Sequence, residues 1–169
     1  LEPSVILVLL LLLIVAVILA SPIRSRLRIY RGEQTVRAIG AQLSEAQTLA
    51  MNEFTRTRFS VDISANVCQS EAYNKAAGAW NFICRPRPLG RGASFGYGSI
   101  AAPAGSQTTL QQTSAVMFNP RGIPVDETGS PTGECAIYVH SRGQYFAVTV
   151  SVAGVVRLWK HDGSSWQPL

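Results

Sequence analysis

Three kinds of side chain in this 169-residue sequence could do chemistry: three cysteines, two histidines and a scattered set of arginines. Cys68, Cys84 and Cys135 all lie in the polar part of the chain, in strand-like or loop contexts that suit a disulfide in an oxidising compartment. A Cys68–Cys84 bond would close a loop worth on the order of 3 kcal/mol in the chain-entropy picture. A Cys84–Cys135 bond would tie two strands, and an all-thiol set is the third alternative; spacing leaves all three open. His140 and His161 have no carboxylate or cysteine at a catalytic spacing, and the sequence holds no Cys-x-x-Cys pair, phosphate loop or metal-ligand pattern. No serine stands in a nucleophile elbow. The expectation is a protein that is not an enzyme and needs neither cofactor nor metal. The arginines suggest a different chemistry. Arg157 and Lys160, with Arg85 and Arg87 on a second basic loop, could contact nucleic-acid phosphates if they converged on one face. The net charge of +5, from 15 basic and 10 acidic residues, invites that reading, but solvated arginines and a basic cluster at the membrane surface are the expected one.

The elements that would position these groups fall into two parts. Val5 to Ala20 is an unbroken apolar run. As a helix it spans roughly 24 Å, and with Leu1 to Ser4 and the residues around Pro22 it becomes long enough to cross a bilayer. Nothing basic precedes it, so it lacks the charged start of a secretory signal. Arg24, Arg26, Arg28 and Arg31 follow it at once, which by the positive-inside rule would hold the rest of the chain in the cytoplasm. The cysteines point outside. A basic leader removed after membrane insertion reconciles the two, and a simple signal anchor is the competing expectation. From Ser25 to about Arg56 the chain contains no proline, and Val36, Ile39, Leu43, Ala46, Ala50 and Phe54 recur at helical intervals as one apolar stripe. Pro22 and Gly32 are the expected bend points. Beyond Thr57 the period becomes alternating, with strands expected over Arg58–Ile63, Ala79–Cys84, Phe95–Ile100, Ala115–Phe118, Cys135–His140, Gln144–Val152 and Val155–Lys160. Turns fall at Arg142-Gly143 and Ala153-Gly154. Ala101 to Ser114 and Asp126 to Gly133 read as the most exposed loops, facing solvent or partners. The fold class that follows is α+β, with an antiparallel sheet on the amphipathic half of a long helix.

Local motifs add a family resemblance. Ala38 to Gln47 leading into Ala50 to Arg56, then Val116-Met117-Phe118-Asn119-Pro120-Arg121-Gly122, then Val148 to Trp159 around Ala153-Gly154, resemble the GspH/FimT family of type IV pilin-like pseudopilins. The resemblance implies the type IV pilin fold in three parts: residues 1–24 as the transmembrane and filament-core half-helix, 25–57 as the amphipathic half, and 58–169 as the sheet domain. It further implies a methylated N-terminus left by a prepilin peptidase, an inner-membrane assembly machinery, and other copies of the chain as partners in a helical filament. Before assembly the chain would sit in the inner membrane with its C-terminal domain outside, its span in lipid; afterwards it would be part of a periplasmic or extracellular filament. Pilins carry a glutamate as fifth residue, and here, counting from Leu1, that position is Val5. Glu2 becomes the candidate partner for the N-terminal amine of Leu1 in a neighbour, since a buried carboxylate is tolerated only when paired. Some relatives of this kind bind DNA through a Gly-Arg-x-Arg stretch. Gly154-Val155-Val156-Arg157 lacks the first arginine, so DNA is an alternative partner rather than the expected one.

Overall fold

The computed structural model describes residues 30–169, and the expectations for Leu1, Glu2, Pro22 and the apolar run lie outside these described residues. Among the described residues no helix is long and apolar enough to cross a membrane. Helix α1 occupies residues 30–52. Its stripe of Val36, Ile39, Leu43, Ala46 and Ala50 is buried, and Arg37, Glu45 and Glu53 are exposed.

The sixth member of the expected stripe behaves differently. Phe54 lies past the helix end with φ of 47° and a relative exposure of 70%. The Thr55 amide donates back to the Ala50 carbonyl at 3.2 Å, the six-residue closure of a Schellman cap. A left-handed residue must follow the last helical turn, and the turn it makes swings Phe54 off the buried face. Thr57 then starts the sheet and anchors it to the helix, its hydroxyl donating to the Ala46 carbonyl at 2.8 Å.

Among the described residues, eleven strands form two antiparallel sheets: β1 (Thr57–Asp62), β2 (Val67–Asn74), β3 (Ala79–Phe82), β4 (Arg87–Pro88), β5 (Ala93–Phe95), β6 (Ala115–Phe118), β7 (Pro124–Val125), β8 (Cys135–Ser141), β9 (Gln144–Val150), β10 (Val156–His161) and β11 (Trp166–Pro168). The first sheet runs β3-β2-β1-β6-β7 with β4 also paired to β2; the second runs β11-β10-β9-β8-β5. Strand alternation sorts their side chains. Phe59, Val61, Val116 and Phe118 of the first sheet join Ile137, Val139, Phe146, Val148 and Val150 of the second in one core built on the α1 stripe. The helix is thus the common wall of both sheets.

The second sheet has a covered outer face as well. Ala136, Tyr138 and Ala147 form a smaller core there, with Trp159, Trp166 and Leu110 packed against it and Ala104 fully buried beneath. Residues 101–114 are irregular and mostly exposed, yet buried Ala104 and Gln107 pin them to the sheet. They are a strap. The Tyr138 hydroxyl accepts the Ala104 amide at 3.1 Å, Trp166 Nε1 donates to the Ala102 carbonyl at 2.9 Å, and the β8 amides of Ala136 and Tyr138 donate to Thr113 Oγ1 and Gln112 Oε1 at 2.8 and 2.9 Å. Strap side chains thereby complete the β8 edge where β5 stops, satisfying backbone donors that would otherwise be buried unpaired. The other loop, Asp126–Gly133, is exposed over residues 126–131, as expected.

Candidate functional site

Three motifs far apart in sequence meet at one point on α1. Gln47 Nε2 donates to the Gly122 carbonyl at 2.8 Å and to the Gly154 carbonyl at 3.0 Å. Gly122 ends the Asn119-Pro120-Arg121-Gly122 turn between β6 and β7, and Gly154 ends the turn between β9 and β10. One carboxamide, which carries two N–H donors, therefore joins the helix to a turn from each sheet. Both turns need glycine: φ is 75° at Gly122 and 79° at Gly154, and a Cβ on Gly154 would stand 2.4 Å from Gln47 Nε2. Asn119 Oδ1 shapes the first turn by accepting the amides of Arg121 and Ile123 at 2.9 and 3.1 Å. Helical periodicity alone does not single out Gln47. The signal that could have found it is its position beside Leu43, Ala46 and Ala50, at the border of the stripe, where a side chain can reach past the core edge.

The outer face of the first sheet carries a ladder of arginine and aromatic side chains. Arg56 lies over the Tyr73 ring at 4.8 Å, Tyr73 meets Trp80 edge-on at 5.4 Å, and Arg58 lies over Trp80 at 4.6 Å. Glu71, directly across from Arg58 in the β1–β2 register, binds the Arg58 guanidinium at 2.7 Å. Trp80 is thus a packing residue, as are Trp159 and Trp166.

The basic residues singled out in the sequence are divided by the strand pleat. Arg157 and Lys160 are three apart on β10 and project to opposite faces. Lys160 turns to the helix side and pairs with Glu33 of α1 at 3.3 Å, while Arg157 is exposed on the face of Trp159. Arg85 and Arg87 are exposed beside β4 in the other sheet. The four cations do not form one phosphate-facing row on a common strand face. Both histidines serve turns: His140 Nε2 accepts the Gly143 amide at 3.2 Å, and His161 Nδ1 accepts the Gly163 amide at 3.1 Å. Gly32 lies inside regular helix, where its lack of a side chain admits the Phe146 ring. Cys68, Cys84 and Cys135 are all free thiols in this structure. Burial pushes the Cys135 thiol up to about 11 and raises that of Cys68 as well.

The arrangement of one helix against two sheets has counterparts among solved structures. Two structures of the minor pseudopilin EpsH from the type II secretion system of Vibrio cholerae share the fold. One aligns with a TM-score of 0.53 at 12% identity, over 76% of this chain and 95% of that one. The other aligns with a TM-score of 0.53 at 14% identity, over 76% of this chain and 92% of that one. At such identities the likeness is one of fold: an N-terminal helix packed on antiparallel sheets, as in a pilin-like α+β protein. No family model matches the chain, and no curated protein matches it.

Proposed function

We propose that this chain is a pseudopilin-type structural subunit, held in the inner membrane by its N-terminal apolar helix and polymerising through that helix into a filament of the type II secretion or type IV pilus kind. The observation that carries this reading is the pilin-like fold itself, aligned over 95% of a pseudopilin chain, downstream of an unbroken apolar run at Val5 to Ala20. A helix keeps its backbone bonds internal, so the span can leave lipid for a protein core without exposing an unpaired donor. Head-to-tail packing of such spans does not close on itself and generates a helical polymer. Glu2 is assigned to the N-terminal amine of a neighbour. The partners are other copies of the chain, a prepilin peptidase and the inner-membrane assembly machinery. The role is mechanical rather than catalytic.

The test uses cells expressing the full chain and a variant lacking residues 1–25. Electron microscopy and immunolabelling should place the full chain in surface or periplasmic filaments, while the truncated form should remain a folded monomer. Full-length protein that stays monomeric in membranes under crosslinking, with the assembly machinery present, would overturn the proposal. Glu2→Ala should reduce filament incorporation while leaving membrane insertion intact.

A further inference from the structure

Strand β2 is bordered along one edge by two short partners, and the join between them is irregular. The Ile83 amide donates to the Ser70 carbonyl at 2.8 Å, and Arg87 is the Cα partner of Cys68. One residue of β2, Gln69, is therefore faced by three on the opposite chain, so residues 84–86 form a bulge. Cys84 is the first residue of that bulge, one step past the pinned Ile83. Cys68 is two steps from Ser70 on the neighbouring strand, so the two cysteines flank the same short stretch of the β2 edge, close enough for Cys84 to raise the Cys68 thiol. The Cys68 thiol is buried against α1 and donates to Gln42 Oε1 at 3.4 Å, while Cys84 is half-buried and nearer solvent. Cys135 lies across the core on β8.

We propose that Cys68 and Cys84 are an oxidisable pair whose disulfide fastens the 84–86 bulge and β4 onto β2. The oxidant is a small-molecule or protein disulfide. The Cys84 thiolate attacks one sulfur of that disulfide, expelling the other as a thiolate that takes up a proton. The deprotonated Cys68 sulfur then attacks Cys84 in the mixed disulfide, expelling the second thiol. Two protein thiols are oxidised to one disulfide, and one external disulfide is reduced to two thiols. Burial raises the Cys68 thiol, with Cys84 adding to the shift, which makes Cys84 the first nucleophile and the closing attack the slower step. The link also reaches the helix. Cys68 lines a cleft of about 330 Å³ between α1 and residues 87–90, with Gln34, Gln42 and Leu89. Oxidation removes the S–H that Gln42 accepts, so the cleft wall differs between the two redox states. β4 has only two paired residues, Arg87 and Pro88, and a covalent tie three residues away is what would hold it in register.

The test takes full-length protein in detergent and equilibrates it with oxidised glutathione. Remaining thiols are alkylated under denaturing conditions and the protein is digested with trypsin. Cleavage follows Lys75, while Arg85 and Arg87 are shielded by the prolines after them, so the bond joins peptides 59–75 and 76–91; Cys135 falls in 122–142. The expected result is the linked 59–75/76–91 pair, retained in Cys135→Ala and absent in Cys84→Ser. The oxidised protein should melt roughly 10 °C above the reduced form, with no such shift in Cys84→Ser. Recovery of both cysteines alkylated, of stable glutathione adducts, or of a link to the 122–142 peptide overturns the proposal. The peptide map of the unmutated chain decides even if a variant fails to fold, and because it needs no filament it is independent of the assembly reading.

Discussion

Gln47 satisfies a carbonyl from each sheet, so its replacement separates lost contact from introduced repulsion. Gln47→Ala leaves the Gly122 and Gly154 carbonyls without that donor, and two such bonds at about 1 kcal/mol each predict a loss near 2 kcal/mol. Gln47→Glu should cost more, because a carboxylate cannot donate and would face two carbonyl oxygens. Urea midpoints of the chain lacking residues 1–25 check both; equal stability of the Glu variant and the parent would rule out the clamp. Phe54 offers the opposite sign. A left-handed non-glycine residue costs about 1–2 kcal/mol, and this side chain is 70% exposed, so it has little packing to lose. Phe54→Gly is therefore expected to stabilise by about 1 kcal/mol in the same assay. The stripe pattern could not reveal Phe54's position, because periodicity carries no information on where a helix closes with a left-handed turn.

At the scale of elements, α1 touches the second sheet at two glycines that should respond differently. A Cβ at Gly32 would lie 2.4 Å from a ring carbon of Phe146, which is fully buried, whereas at Gly40 it would lie 2.8 Å from the end of the flexible, half-buried Leu158. Alanine gains about 1 kcal/mol of helix propensity at either site. Overpacking against Phe146 should exceed that gain, so Gly32→Ala is expected to destabilise by about 1 kcal/mol net and Gly40→Ala to be near neutral, by thermal melting. The turn between β10 and β11 yields a pH prediction. Asp162 accepts the amides of Ser165 and Ser164 at 2.8 and 2.9 Å, and these bonds hold its carboxyl well below the usual carboxylate range. A lowered folded value means the contribution is full above the unfolded value and is lost as pH falls towards the folded one. The Ser164 and Ser165 amide resonances should therefore hold steady through the ordinary carboxylate range and shift only in stronger acid; movement near pH 4 would contradict it. Longer strands were readable because β1, β6, β8, β9 and β10 alternate or turn at glycine. β2 escaped because buried Glu71, neutralised by Arg58, interrupts its apolar pattern. β4, β7 and β11 are two or three residues long, each contains proline, and they exist through their partners. The strap reads as loop in any local window, since its burial depends on Tyr138 and Trp166, and on Glu134, which accepts the Thr108 amide and hydroxyl. Burial opposes ionisation of Glu134, but those bonds outweigh it and lower its carboxyl.

On the scale of the whole molecule, the two sheets share one core with α1 and are tied to it by the same side chain, which makes independent unfolding of either sheet unfavourable. Opening the first sheet alone would expose the α1 stripe and strip Phe59, Val116 and Phe118 from a cluster that also holds Ile137, Phe146 and Val148 of the second. Three tryptophans are placed to test this. Trp80 reports on the first sheet, Trp159 and Trp166 on the second. In the chain lacking residues 1–25, a Trp80→Phe variant and a Trp159→Phe/Trp166→Phe double variant should each melt in a single transition whose fluorescence midpoint coincides with its own circular-dichroism midpoint. Adding Gln47→Ala should lower both midpoints together, by roughly 8 °C for a loss near 2 kcal/mol in a domain of this size. Two separate transitions, or a Gln47→Ala shift confined to one probe, would mean that the sheets are joined only loosely through the helix. Coincident melting bears on the proposed filament role: force drawn through the N-terminal helix would be shared at once by both sheets, with Gln47 the polar point where helix, first sheet and second sheet meet.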